Sequence, residues 1–230
     1  MTGSPLDNPL WHSLATRHAG LGVRNGNAAC YRPQVSAMAG LAETTPAALE
    51  DLSKLVDPGG YVLLVGVDDM DVGPCWRRAE GIPLVQMVCD AVLAEPDLAV
   101  VTLTEGDVDD MMELVEATAP GPFERGTIEM GRYVGLWEDV EGRRRLVAMA
   151  GERMKPEGFT EISAVCTRPG FQGRGLGEAF VRAVAAPIQR DGDVPFLHVH
   201  TANERAIALY ERLGFERRIE RVICPLVRLG

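Results

Sequence analysis

Apolar residues fall along the chain in short blocks, each closed by glycine, proline or a small polar residue, as alternating strands and helices require. Thr45 can cap, Pro46 suits a first turn, and Leu49, Leu52, Leu55 and Val56 share one face, which predicts a helix over 45–56. Asp57-Pro58-Gly59-Gly60 stops it, and 61–67 reads as a buried strand. An acidic turn over 68–74 and weaker strands over 75–78 and 84–89 follow. The first 30 or so residues read as irregular, because Gly20, Gly22, Asn25, Gly26 and Asn27 break any long helix, although Trp11, Leu14 and Leu21 can pack against the body.

From Ala99 the pattern is denser. A strand over 99–104 leads to a helix capped by Asp107 and carrying Val108, Met111, Met112, Leu114 and Val115, closed by Pro120-Gly121-Pro122. Strands 133–137 and 145–150 form a hairpin across 138–143. A strand over 161–167 ends at Pro169, and a helix follows with Leu176, Phe180, Val184 and Ile188 on one face and a kink or stop at Pro187. A strand over 196–200 precedes a helix capped by Asn203 and ended by Gly214; a last strand, 219–227, contains Pro225, which suggests an edge position. The predicted order from Ala99 is β-α-β-β-β-α-β-α-β, without internal repeats. Two units are expected, an N-terminal α/β module over 1–98 and a larger α/β domain over 99–230.

Composition narrows the function classes. A net charge of −10, with lysine only at positions 54 and 155, argues against a nucleic-acid surface and favours neutral or cationic small substrates. The five cysteines form no Cys-x-x-Cys pair, and the simple expectation is a reduced, cytoplasmic protein. No signal peptide is visible at the N-terminus, and the longest apolar run, 61–67, is too short to span a bilayer, so no membrane partner is expected.

The chemistry lies between Thr160 and Gly177. Glycines at 173, 175 and 177 stand between a strand and a helix start, where several backbone N–H groups meet the positive end of a helix dipole. That is an anion site, suited to a pyrophosphate. A P-loop needs Gly-Lys-Ser/Thr, but Gly177 is followed by Glu178; a dinucleotide fingerprint needs glycine at 178 and fails for the same reason. Gln/Arg-x-x-Gly-x-Gly/Ala fits Gln172, Gly175 and Gly177. A plain glycine connection is the competing reading of so short a motif.

Here the sequence resembles the GCN5-related N-acetyltransferase (GNAT) superfamily, which binds acetyl-CoA through such a turn. A second segment, Asn203 through Ala206, Leu209-Tyr210 and Gly214-Phe215, is similar to the family's Asn-x-x-Ala-x-x-Leu-Tyr-x-x-x-Gly-Phe, about 30 residues after the turn. The resemblance covers 99–230 and is nearest to the FR47-like, glycine acyltransferase-related branch. It implies a mixed, mostly antiparallel central sheet flanked by helices, with the smaller N-terminal module beside it, itself a candidate degenerate half of the same fold that helps form the acceptor site.

The resemblance also implies roles. The main chains of Val165, Cys166 and Thr167 would carry the pantetheine arm, with the N–H near Val165 polarising the acetyl carbonyl. Gln172, Gly173, Arg174, Gly175, Leu176 and Gly177 would hold the pyrophosphate, and Asn203 would contact the cofactor. Tyr210 stands at the general-acid position, or merely packs beside the cofactor. Glu161 resembles the general base of the histone-acetylating and glycine acyltransferase-like branches, with Glu152 and Glu129 as weaker candidates and an exposed strand-end charge as the alternative. Cys166 lacks an adjacent base in sequence and belongs to a family of direct transfer. His198 and His200 share a strand face but lack a third ligand, so no metal is expected. Glu105, Asp107, Asp109, Asp110, Glu113 and Glu116 form either an acidic funnel for a cationic amine or a solvated helix face. The expected activity is N-acetyl transfer from acetyl-CoA to a primary amine, small-molecule or peptide, in a ternary complex. The alternative is a non-catalytic acyl-CoA-binding or regulatory module. The sequence leaves acceptor and oligomeric state open.

Overall fold

The computed structural model describes residues 3–67 and 70–230. Helix α1 (Pro9–Ala15) is capped by Asn8, whose Oδ1 accepts from the Trp11 N–H at 3.3 Å. Strands β1 (Gly22–Asn25) and β2 (Ala28–Tyr31) turn tightly over Gly26, at φ +52°, and β3 (Ala39–Leu41) completes a three-stranded sheet. The glycines and asparagines expected to leave this stretch irregular therefore make a hairpin, because the positive φ that spoils a helix suits a two-residue turn. Helix α2 (Pro46–Ser53) begins at the expected Thr45 cap, which accepts from the Ala48 N–H. Strands β4 (Tyr61–Val65), β5 (Trp76–Arg78) and β6 (Ile82–Val88) follow. The acidic turn expected at 68–74 includes Asp68 and Asp69, which lie outside the described residues.

Beyond Ala99 come β7 (Val101–Thr102), α3 (Val108–Thr118), β8 (Tyr133–Val140), β9 (Arg143–Glu152), β10 (Phe159–Thr167), α4 (Leu176–Arg190), β11 (Val194–His200), α5 (Glu204–Arg212) and β12 (Glu216–Arg228). This is the predicted order. The main sheet runs β4-β12-β6-β11-β10-β9-β8-β7, with β5 also beside β12; every pairing is antiparallel except β10 with β11.

Strands from the expected 1–98 module join the main sheet: β6 is hydrogen-bonded between β11 and β12, and β4 beyond β12. The same topology corrects one expectation. Pro225 is not on an edge strand: β12 lies between β4 and the β5–β6 pair. Its carbonyl accepts from the Ala79 N–H, just after β5 ends and before β6 begins, so the absent N–H falls at the break between them.

Alternation along each strand sorts side chains to two faces. Leu197 of β11 and Ala148 and Ala150 of β9 pack under α4 and α5, against Phe180, Val181, Val184 and Ile207. Their neighbours face the other way. Met149 and Leu146 meet α3 through Met111 and Leu114, while Phe196 and Ile223 meet Leu6, Leu10 and Met38 of the N-terminal segment. Two separate covers therefore share one sheet face. No helix of the described residues is long and apolar enough to cross a membrane.

Candidate functional site

Strands β10 and β11 pair as parallel neighbours only over Phe159–Glu161 and Val194–Phe196. Beyond that point β10 bulges: its register on β9 shifts between Ser163 and Cys166, and Ala164 adopts φ +53°. A left-handed alanine costs about 1–3 kcal/mol and persists only where its surroundings hold it. The splayed strands border a cavity of about 520 Å³, closed by the Ala119–Pro122 loop after α3 on one side and by Leu63, Ile82, Leu84 and Ile223 on the other. A second cavity, of about 590 Å³, shares Val165, Cys166, Thr167, Gln172, Asn203 and Tyr210 with the first and runs on past the glycine turn along α5.

At the turn, Gly173 and Gly175 have φ +80° and +76°, and a Cβ at either would meet no atom within 4 Å. Among the described residues no side chain caps the first turn of α4. Open space, uncapped N–H groups and a helix N-terminus together fit a phosphate. Leu176 and Gly177 line the second cavity, and a Cβ on Gly177 would stand 3.2 Å from Leu209, so glycine lets α4 start close to α5. Gln172 reaches back to the Thr167 carbonyl at 3.5 Å. Arg174 lines neither cavity; its guanidinium lies 4.7 Å over the Phe171 ring and 3.7 Å from Glu138. Asn203 Oδ1 caps α5 by accepting from the Ala206 N–H at 3.2 Å, so its amide N–H groups are what it can offer to the cavity.

Tyr210 is buried, stacks obliquely on Phe215 and makes no hydrogen bond to the described residues, so its hydroxyl is available where the two cavities join. Burial pushes its pKa up to about 12 and keeps the phenol protonated. Burial likewise raises the Cys166 thiol to about 11, which removes thiolate character at neutral pH.

Glu161 is not where a direct base would stand. It is 0% exposed and lines neither cavity. Arg153 Nε and Nη2 donate to its two oxygens at 2.7 and 2.8 Å, the Met154 N–H donates at 3.3 Å, and His198 Nδ1 lies 2.8 Å from Oε1. Burial alone would raise its pKa, but the Arg153 charge and these hydrogen bonds pull it down to about 2. The expected strand-end base is thus an anion sealed behind the wall, because its strand is covered on both faces. Glu152 is tied to Arg132 and Lys155, and Glu129 to Arg32.

The wall itself is formed by Arg153, His198 and His200. Both ring nitrogens of His198 are engaged: Nδ1 by Glu161, and Nε2 by Gln86 Nε2 at 3.1 Å. Gln86 also donates to the Leu6 carbonyl and accepts from Arg218, which pairs with Asp7. A polar chain therefore runs from the N-terminal segment to the cavity. His200 Nδ1 accepts from the Ala202 N–H. The carboxylates of the acidic helix take no part in this wall, although Thr118 at its end lines the cavity: Glu113 is paired with Arg145 and Arg168, Asp109 with Arg125, and Asp107 closes a capping box with Thr104. Sequence reasoning missed Arg153 and Gln86. Only Gln86 left a trace, as a polar residue in the apolar run Leu84–Val88.

The FR47-like protein family model matches residues 133–223. A protein of Novosphingobium aromaticivorans, assigned to the GNAT family of acetyltransferases, has a solved structure that is 35% identical over 99% of this chain and 100% of its own, with a TM-score of 0.88. The N-alpha-acetyltransferase RimI of Mycobacterium tuberculosis is 37% identical over 57 residues, 25% of this chain and 35% of its own. The mycothiol acetyltransferase of Streptomyces avermitilis is 38% identical over 60 residues, 26% of this chain and 20% of its own. The matches span less than half the length of these curated relatives.

Proposed function

Since this chain belongs to the GNAT family of acyltransferases, with an FR47-like segment, we propose that it transfers an acetyl group from acetyl-CoA directly to a small primary amine. The observation that carries this reading is the junction of the two cavities, where Val165–Thr167, Gln172, Asn203 and Tyr210 are shared. One cavity leads to the glycine turn and the other to the Arg153–His198 wall. A thioester whose phosphates lie at Gly173–Gly177 would have its acyl carbon at that junction, facing an amine from the second cavity.

Each residue has a physical task. The bulged main chain at Ala164–Val165 presents N–H groups to the thioester carbonyl, as an oxyanion site must. Tyr210, held protonated by burial, donates to the departing sulfur. Cys166 stays a thiol, which supports direct transfer over a covalent acyl-enzyme. Glu161 orients Arg153 and His198 and takes no proton itself. With both His198 nitrogens occupied, the amine reaches the site as its neutral form and sheds its proton to water. The rate should then rise tenfold per pH unit up to the pKa of the acceptor amine.

Calorimetry with acetyl-CoA, followed by thiol release over an amine panel, tests the reading. Binding together with amine-dependent release of CoA supports it. Absence of CoA uptake by folded protein removes it, and binding without release from any amine leaves the non-catalytic module.

A further inference from the structure

Resting on this acyl-transfer reading, we infer that the acceptor is a small aliphatic amino acid, its carboxylate held by Arg153 and its side chain against Leu63, Ile82, Leu84 and Ile223. The guanidinium has five N–H donors in a planar fork. Glu161 occupies one side of that fork through Nε and Nη2. The Nη1 edge has no partner among the described residues, and Arg153 lines the cavity. An arginine fork already fixed on one carboxylate is pre-organised to accept a second on its other edge. Arg153 Nη2 and His198 Nδ1 both lie 2.8 Å from Glu161 Oε1, so guanidinium and imidazole are neighbours in the wall.

The rest of the cavity agrees with that polarity. Among the described residues no carboxylate lines it, so a second ammonium or a guanidinium on the acceptor would face Arg153 without a counter-charge from them. Its far side is branched and aliphatic, contributed by β4, β6 and β12. The volume, about 520 Å³, must also admit the thioester end, which suits an acceptor the size of leucine.

The test uses the full chain with acetyl-CoA and three acceptors: leucine, isopentylamine (leucine without its carboxylate) and putrescine. Referred to the neutral fraction of each amine at the assay pH, the kcat/KM for leucine is expected to exceed that for isopentylamine by about tenfold or more, the worth of a charge-assisted hydrogen bond, with putrescine lowest. Arg153→Lys keeps a charge opposite Glu161 but loses the free edge, and should narrow the leucine-to-isopentylamine ratio at least about fivefold. Should that variant not fold, the wild-type protein still decides the matter. 4-Methylpentanoate is expected to inhibit competitively against leucine, at least about tenfold more strongly than 4-methylpentanamide. Equal or better use of isopentylamine or putrescine, or equal inhibition by acid and amide, overturns the amino-acid acceptor while leaving acyl transfer in place. Failure to bind acetyl-CoA, or to release CoA with any amine, overturns both.

Discussion

The two arms of the site are built in opposite ways. The arm at the glycine turn comes from two stretches of chain, Val165–Glu178 and Asn203–Arg212, and its working groups are mostly main chain. The arm at Arg153 is assembled from β4, β6, β10, β11, β12, the residue just after β9 and the loop after α3, and works through side chains. A backbone site needs only the correct turn, and glycines specify that locally. A side-chain site needs distant strands brought into register, and no short motif encodes that.

The contrast can be broken where it is strongest. Gly175→Val would force a branched residue to φ +76° and fill the open space above the turn. Acetyl-CoA affinity should fall roughly 100-fold, about 2.8 kcal/mol, by calorimetry, with the fold retained by circular dichroism. Tyr210→Phe should lower kcat about 30-fold while KM for acetyl-CoA changes little, since the hydroxyl acts on the leaving sulfur and the ring still packs.

Glu161→Gln would act through stability. Removing one partner of a buried pair costs about 3 kcal/mol, or a Tm drop near 10 °C for a chain of this size. Because the folded pKa of Glu161 is depressed, from 4.5 to about 2, its contribution is complete above pH 4.5 and vanishes as pH falls through about 2. The Tm difference between wild type and Glu161→Gln should therefore shrink across that window in a pH series. A constant difference would show that Glu161 does not titrate as a buried anion. The smallest effect is expected on α3: joint replacement of Asp109, Asp110 and Glu116 by their amides should change kcat/KM by less than about twofold, as none reaches the wall and exposed charges are screened. A large loss with cationic acceptors would restore the acidic funnel.

Legibility followed the same division. The Thr45 cap, the Asn203 cap and the positive φ of Gly214 were all readable, because each depends on residues within one turn. The hairpin over Gly26 was read as a break, since glycine and asparagine announce positive φ without saying which element uses it. Pro225 was read as an edge residue, because a missing N–H is visible in sequence while a gap between two neighbouring strands is not. Glu161 was located on the right strand but given the wrong surroundings: sequence shows a carboxylate before an apolar run, but not Arg153 and His198 closing on it.

By itself the chain determined its element order from Ala99 and the anion-binding turn, because periodicity and glycine placement act over a few residues. Tertiary structure alone decided that β6 lies between β11 and β12, that Gln86 meets His198, and that Arg153 rather than Glu161 faces the cavity. Those outcomes depend on which covered sheet face each side chain enters, and that follows from pairing between strands more than 100 residues apart, such as β6 and β11.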